Sequence, residues 1–274
     1  MKGIMDESEF YKLVKQAKEL GAETISVFGF GEPLLDPGLA KKIAFCFGLD
    51  LKTFITTNGS LMRNNLMYDL LHSQLSHVRF SVHGLWDDYN KIHKGLRFED
   101  TLRNIANFCR VNDEKFGHPC KVGITVIPML NQEIEPIVDF WSKFKIDELE
   151  IWRPHNWTNG KEYRKKTPKR KKTCGRPHRG PVQINMDGKV MVCCFDYDAK
   201  MVVGDTRKHT IEEILKGDKF NAIRKAHETG DLRGLPCEAC DQLNIEEESP
   251  LLYSNVDPAR KVGKTSSTKF NLEE

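Results

Sequence analysis

Cys237 and Cys240 lie in the run Leu235-Pro236-Cys237-Glu238-Ala239-Cys240, a C-x-x-C step in which one tight turn can aim two sulfurs at one site. Cys174 and Cys193 stand upstream, and the spacing between them reads Cys174-x13-Gly188-x4-Cys193. Thiolates are soft ligands that suit zinc or iron–sulfur clusters. The four together would make an all-cysteine, four-ligand site. Three readings of them stand side by side: one four-iron cluster, a structural zinc, or unrelated buried thiols. A zinc ribbon usually carries two C-x-x-C knuckles, and this chain has one. Cys46 and Cys109 fit the third description, because each falls on a helical pattern among apolar neighbours. Cys194 faces away from Cys193 if the strand there continues, which makes it the weaker ligand.

The elements around these cysteines can be read from the same stretch. Val182–Asn185 and Lys189–Val192 flank Met186-Asp187-Gly188, the signal of a β-hairpin in which Asp-Gly supplies the positive φ angles of the turn. Thr210-Ile211-Glu212-Glu213 reads as a capping box opening a short helix that ends at Gly217, and a further helix is expected from Lys219 to Thr229. The segment from Asn156 to Thr173 is polar and is broken by Pro168, which predicts a linker or long loop. The stretch from about Asn255 has few apolar anchors and is expected to fray.

The first half alternates. Asp6-Glu7-Ser8-Glu9 resembles a capping box, followed at helical spacing by Phe10, Leu13, Val14, Ala17 and Leu20. Strand-like runs begin at 24, 53, 77, 122 and 149, with helical patterns at 63–72, 98–110 and 132–144 and another opening at Asp36-Pro37. That order predicts an α/β fold of parallel strands joined by right-handed crossovers. In such folds ligands sit at the carboxyl ends of strands. The residues there are Gly29-Phe30-Gly31-Glu32-Pro33, Thr57-Asn58-Gly59, His83-Gly84 and Pro154-His155-Asn156.

Composition narrows the class. A chain of 274 residues with 39% apolar and 30% charged residues can build its own core, which excludes global disorder. No run of 18 apolar residues occurs, which excludes a hydrophobic spanning helix. Met1–Glu7 has no apolar signal region, so the expectation is a cytoplasmic chain whose clustered cysteines serve metal or catalysis before disulfides. The formal charge is +3, yet Lys161–Arg179 holds ten basic residues and one acid. Basicity this local, with Tyr163 as its single aromatic, argues for a solvated loop or an electrostatic steer for an acidic substrate, and against nucleic acid.

Taken together, these residues resemble radical S-adenosylmethionine (SAM) enzymes with a C-terminal SPASM or twitch auxiliary-cluster domain. Gly29-Phe30-Gly31-Glu32-Pro33-Leu34-Leu35 is similar to that family's GGEP loop. Thr56-Thr57-Asn58-Gly59-Ser60 and Ser81-Val82-His83-Gly84 match the ends of its next two strands, and the four-cysteine spacing matches its auxiliary pattern. The resemblance implies a partial (β/α)6 TIM-like barrel missing its first strand over 1–155, a basic linker over 156–173, and a small domain of β-hairpin plus helices over 174–245. A tail over 246–274 follows. It implies an auxiliary 4Fe-4S cluster on Cys174, Cys193, Cys237 and Cys240, serving electron relay or structure. Gly31, Glu32 and Pro33 would approach the methionine amino group of SAM, and Thr57, Asn58 and Ser81 would meet its carboxylate and ribose. His83 and His155 would line the substrate pocket, although a lone His is more often structural.

In that family a reduced cluster cleaves SAM to a 5′-deoxyadenosyl radical, which abstracts a hydrogen from a peptide or small molecule; flavodoxin or ferredoxin would supply the electron. One departure stands out: the C-x-x-x-C-x-x-C triplet that holds the radical SAM 4Fe-4S cluster is absent, since successive cysteines differ by 63, 11, 54, 19, 1, 43 and 3. The expectation is an N-terminally truncated fragment or mis-assigned start, inactive by itself. The alternative is a non-catalytic iron–sulfur or zinc-binding relative that has lost radical chemistry.

Overall fold

The computed structural model describes residues 3–129, 132–152, 154–158, 160–163, 165–245 and 251–254. They fall into two compact units. One runs from Glu23 to Trp152 and takes in Leu251–Ser254; the other joins the residues before Glu23 to those from Pro154 to Ile245. This division differs from the expected boundary at 155, because the first helix groups with the cysteine-bearing half.

That helix, α1 (Glu7–Glu19), starts where the Asp6 carboxylate accepts from Ser8 N and Glu9 N at 2.8 and 3.2 Å. The expected capping box is only half formed. Glu9 does not reach back; its carboxylate accepts from Thr206 Oγ1 at 3.3 Å. Gln16 Oε1 accepts from Ile211 N at 2.9 Å, which ties the far end of the helix into the same unit.

The Glu23–Trp152 unit is an α/β structure. Its sheet holds β1 (Thr24–Ser26), β2 (Lys52–Thr57), β3 (His77–Ser81), β4 (Lys121–Val126) and β5 (Glu148–Ile151), adjacent in that order and all parallel. Between them run α2 (Leu39–Phe47), α3 (Asn64–His72), α4 (Trp86–Ile92), α5 (Phe98–Glu114) and α6 (Glu135–Trp141). Alternation along each strand sends Ile55, Val78, Phe80, Val122, Ile124 and Leu149 into one core with the helices' apolar sides. The helix over 86–92 was not expected from sequence. Its charged first turn, Asp87-Asp88, hides the apolar pattern, and its anchor is the fully buried Tyr89.

β6 to β9 complete the strands. The hairpin forms as expected from β6 (Gln183–Ile184) and β7 (Lys189–Met191), with Gly188 at φ +79 in its turn. A third strand, β8 (Val202–Asp205), pairs antiparallel with β7. β9 (Leu251–Ser254) pairs antiparallel with β5 and ends the larger sheet, which stays open with β1 and β9 at its edges. The rest of the expected tail, 246–250 and 255–274, lies outside the described residues.

Two helices follow the three-stranded sheet, α8 (Ile211–Lys216) and α9 (Asp218–Thr229), after the short α7 (Arg176–Arg179). The Thr210–Glu213 capping box is complete, with Glu213 N on Thr210 Oγ1 at 3.2 Å and Thr210 N on Glu213 Oε2 at 2.7 Å. No helix among the described residues is long and apolar enough to cross a membrane.

Candidate functional site

The loop after β1 is organised by one carboxylate. Glu32 accepts from Leu34 N at 3.0 Å, capping the 3-10 turn Pro33–Leu35. It also accepts from Thr57 Oγ1 at 2.6 Å and Asn58 N at 2.9 Å, at the end of β2. One side chain thus fastens two adjacent strand ends. Gly31 is exposed, and a Cβ added at Gly29 or Gly31 would meet no protein atom within 4 Å. Neither glycine has a positive φ. The backbone there is bare on an open side, which is what close approach of a ligand requires.

Thr57 and Asn58 turn out to be loop builders. Thr57 Oγ1 accepts from Gly59 N at 3.0 Å while donating to Glu32, so its hydrogen is already committed. Asn58 Oδ1 accepts from Ser60 N at 2.9 Å, an Asx turn. Gly59 is required here twice over: its φ is +74, and a Cβ would come within 3.0 Å of the Phe80 ring. Ser81 ends β3 on the face shared by His77 and Arg79, in register with Thr125. Thr125 Oγ1 is buried without a partner. Sequence reasoning missed this hydroxyl, because nothing but register sets it beside Ser81.

The same sheet face carries a ladder of charges that the sequence also left unread. Lys121 Nζ meets Glu148 Oε1 at 2.7 Å, Arg79 Nη2 meets Glu150 Oε1 at 2.9 Å, and Trp152 Nε1 donates to Glu150 Oε2 at 2.8 Å. Glu148 and Glu150 are 0% and 2% exposed, so these contacts keep buried carboxylates paired. His83, a candidate for the substrate pocket, does something else. Its Nδ1 accepts from Ile127 N at 3.1 Å, and its ring stacks on His93. Burial first, then His93, lowers its pKa to about 4. It is a neutral fastener between the ends of β3 and β4. His155 belongs to the other unit, packed between the rings of Trp157 and Phe195.

In the unit from Pro154 onwards, Cys174, Cys193, Cys237 and Cys240 border one cavity together with Met201 and His227. The four candidate ligands are therefore brought together. Among the described residues no three His, Cys, Asp or Glu side chains converge closely enough to hold a bare metal ion, so the sulfurs border a space rather than meeting at a point. Several features build this wall. Phe195 N donates to Cys193 Sγ at 3.4 Å, and Cys237 Sγ lies 3.6 Å from Met201 Sδ. Asp196, fully buried, accepts from Lys200 N and Met201 N at 3.0 and 2.6 Å and so fixes the loop carrying Met201.

The presumed linker is part of this wall. Arg170 donates to the carbonyls of Glu238 and Cys240, clamping the C-x-x-C turn, and Lys171 N donates to Leu243 O at 2.7 Å. Arg176 donates to Cys194 Sγ at 3.0 Å and lies over the Phe195 ring. Part of the basic run is thus structural, a role that net charge alone does not reveal. Cys194 does not border the cavity. The hydrogen bond from Cys193 and, against burial, the charge of Arg176 hold its pKa at about 6.

Burial pushes the Cys237 thiol up to about 12, with Cys174, Cys240 and Asp196 adding to the effect, and burial raises Cys240. Thiols this reluctant to ionise alone are deprotonated when a metal binds them. His227 is 1% exposed, and among the described residues its Nε2 has no partner, an orphaned polar atom on the cavity that the four cysteines line. The donor set and the orphan both fit an iron–sulfur group. Cys46, Cys109 and Cys120 are buried in the apolar core of the sheet unit, where burial raises all three.

Comparison with known proteins matches this geometry. The Radical SAM superfamily profile matches residues 2–140, and the SPASM profile, an iron-sulfur cluster-binding domain, matches 174–241. An uncharacterised protein of Methanocaldococcus jannaschii is 34% identical over 86 residues, a stretch covering 31% of this chain and 30% of that relative. The fold is similar to BtrN in complex with AdoMet and 2-DOIA, at TM-score 0.57 and 18% identity over 89% of this chain and 82% of BtrN. It is also similar to Streptococcus suis SuiB bound to the precursor peptide SuiA, at TM-score 0.65 and 17% identity over 88% of this chain and 64% of SuiB. With the profile spanning half of its length, this chain belongs to the radical SAM superfamily and carries a SPASM iron–sulfur domain.

Proposed function

We propose that this chain is the SAM-binding and auxiliary-cluster portion of a radical SAM enzyme acting on a peptide or small-molecule substrate. The observation that carries the reading is the convergence of Cys174, Cys193, Cys237 and Cys240 on one cavity. These four would hold a 4Fe-4S cluster, which when bound supplies a one-electron relay or a structural staple.

In the sheet unit, the bare Gly29–Gly31 backbone would receive the methionine end of SAM. Glu32 and Thr57 hold that loop in shape rather than touching the ligand through their own side-chain atoms. Pro33 starts the 3-10 turn that fixes the loop's exit. Asn58 and Ser81 would meet the carboxylate and ribose, with Thr125 in register with Ser81. Peptide substrates find support in the likeness to SuiB, which is bound to a precursor peptide; flavodoxin or ferredoxin would be the electron donor in a cytoplasmic setting.

The 274 residues contain no C-x-x-x-C-x-x-C. By this reading the chain alone binds SAM without cleaving it, and the radical SAM cluster belongs to the triplet. A second reading rests on that same missing triplet: a non-catalytic iron–sulfur or zinc protein. Anaerobic reconstitution followed by metal and sulfide analysis, with calorimetric titration of SAM, separates them. The expected result is about four irons per chain and SAM binding that weakens about tenfold in Glu32→Gln, as loss of charge-assisted hydrogen bonds predicts. Stoichiometric zinc without iron, or no SAM binding, would sink the proposal.

A further inference from the structure

His227 sits in the last turn of α9, 1% exposed, on the wall of the cysteine-lined cavity. Its Nδ1 lies 2.9 Å from Thr173 Oγ1, the residue before Cys174. Thr173 Oγ1 already accepts from Gly175 N at 3.0 Å, and among the described residues its own hydrogen has no acceptor except His227. The hydroxyl therefore donates to Nδ1, and the ring proton resides on Nε2. That Nε2 is buried and has no partner. An N–H left so is costly, and such orphans in a folded protein call for a missing acceptor.

Among the described residues no protein acceptor lies within hydrogen-bond reach of Nε2. Thr158 Oγ1 donates to Phe195 O at 3.1 Å, and Gln242 Nε2 donates to Asp241 Oδ2 at 3.3 Å. Cys174, Cys193, Cys237 and Cys240 line the same cavity. We infer that His227 Nε2 donates a hydrogen bond to a sulfur of the cluster held by the four cysteines and thereby raises its reduction potential. Thr173 is the positioning residue that fixes the tautomer. The inference rests on the cluster reading above and deepens it: reduction adds negative charge to the sulfurs, so a donor aimed at them stabilises the reduced state more than the oxidised one. Neither residue is a ligand, and neither belongs to a cysteine motif.

The test is an EPR-monitored redox titration of the reconstituted full chain beside iron and sulfide analysis. Wild type is compared with His227→Phe, which keeps the ring volume without the donor, and His227→Gln, which restores an N–H. Expected are equal iron contents and a reduction equilibrium about tenfold less favourable in His227→Phe, equivalent to about 59 mV for one electron, with partial recovery in His227→Gln. Iron in both wild type and His227→Phe with equal potentials would overturn this inference alone. No iron in the wild type would overturn the cluster reading, and this inference with it. If His227→Phe holds no iron, the reduced wild type labelled with 15N-histidine decides: a weak 15N hyperfine coupling supports the hydrogen bond, and its absence refutes it.

Discussion

The two units solve the problem of an interior in opposite ways. The sheet unit is filled by apolar side chains from both strands and helices, such as Ile43, Leu70, Phe80, Ile124 and Trp141, all at 0% exposure. Its buried charges are cross-paired. The cysteine unit has a much smaller apolar cluster, centred on Val190, Met201, Val203 and Phe220, and beside it a thiol-lined cavity with an orphaned imidazole nitrogen. By the cluster reading, the second is completed by an inorganic group, because few apolar groups and several reluctant thiols make a poor core without metal–sulfur bonds.

Removing one thiolate should break this contrast most sharply. Cys237→Ala is expected to lose nearly all iron and to destabilise the cysteine unit by more than about 3 kcal/mol, the scale on which metal binding drives small domains to fold. The sheet unit should keep its own melting transition. Calorimetry with iron analysis checks it; unchanged iron content, or a single transition moving as one, would contradict the division.

Arg79→Met attacks the other side. It strips Glu150, and in part Glu148, of the guanidinium that balances them. A loss of about 3 kcal/mol from the sheet unit is expected, because removing one member of a buried charge network leaves its partner carboxylate with less counter-charge. Adding Glu150→Leu should recover most of it. Urea denaturation reads both; no recovery in the double variant would show that the ladder contributes more than charge balance.

The smallest effect concerns pH. His83 and His93 are both held to about 4 in the folded sheet unit, chiefly by burial, against an ordinary value of 6.5. The unfolded chain binds more protons between those values, so stability is full above pH 6.5 and falls as pH drops toward 4. With both rings contributing, the slope should be about 2 kcal/mol per pH unit and should roughly halve in His83→Asn. A pH-independent unfolding midpoint between 7 and 5 would show that these rings are protonated in the native state.

Much of the architecture was legible because its signals are local. The alternating patterns predicted five parallel strands; Asp187-Gly188 predicted the hairpin, and Thr210–Glu213 predicted a cap that forms in full. The C-x-x-C spacing and the residues at strand ends marked both candidate sites. Tertiary structure alone decided what those residues do. Glu32 is a fastener since its two oxygens span β1 and β2, and His83 is one since Ile127 lies beside it. Arg170 clamps the C-x-x-C turn from 70 residues away, and His227 borders the cysteines' cavity from a helix with no motif of its own. Spacing along a chain can report a turn or a periodic face. It carries no information about which distant side chains a fold will press together, and hydrogen bonds, buried charge pairs and orphaned donors arise only from that.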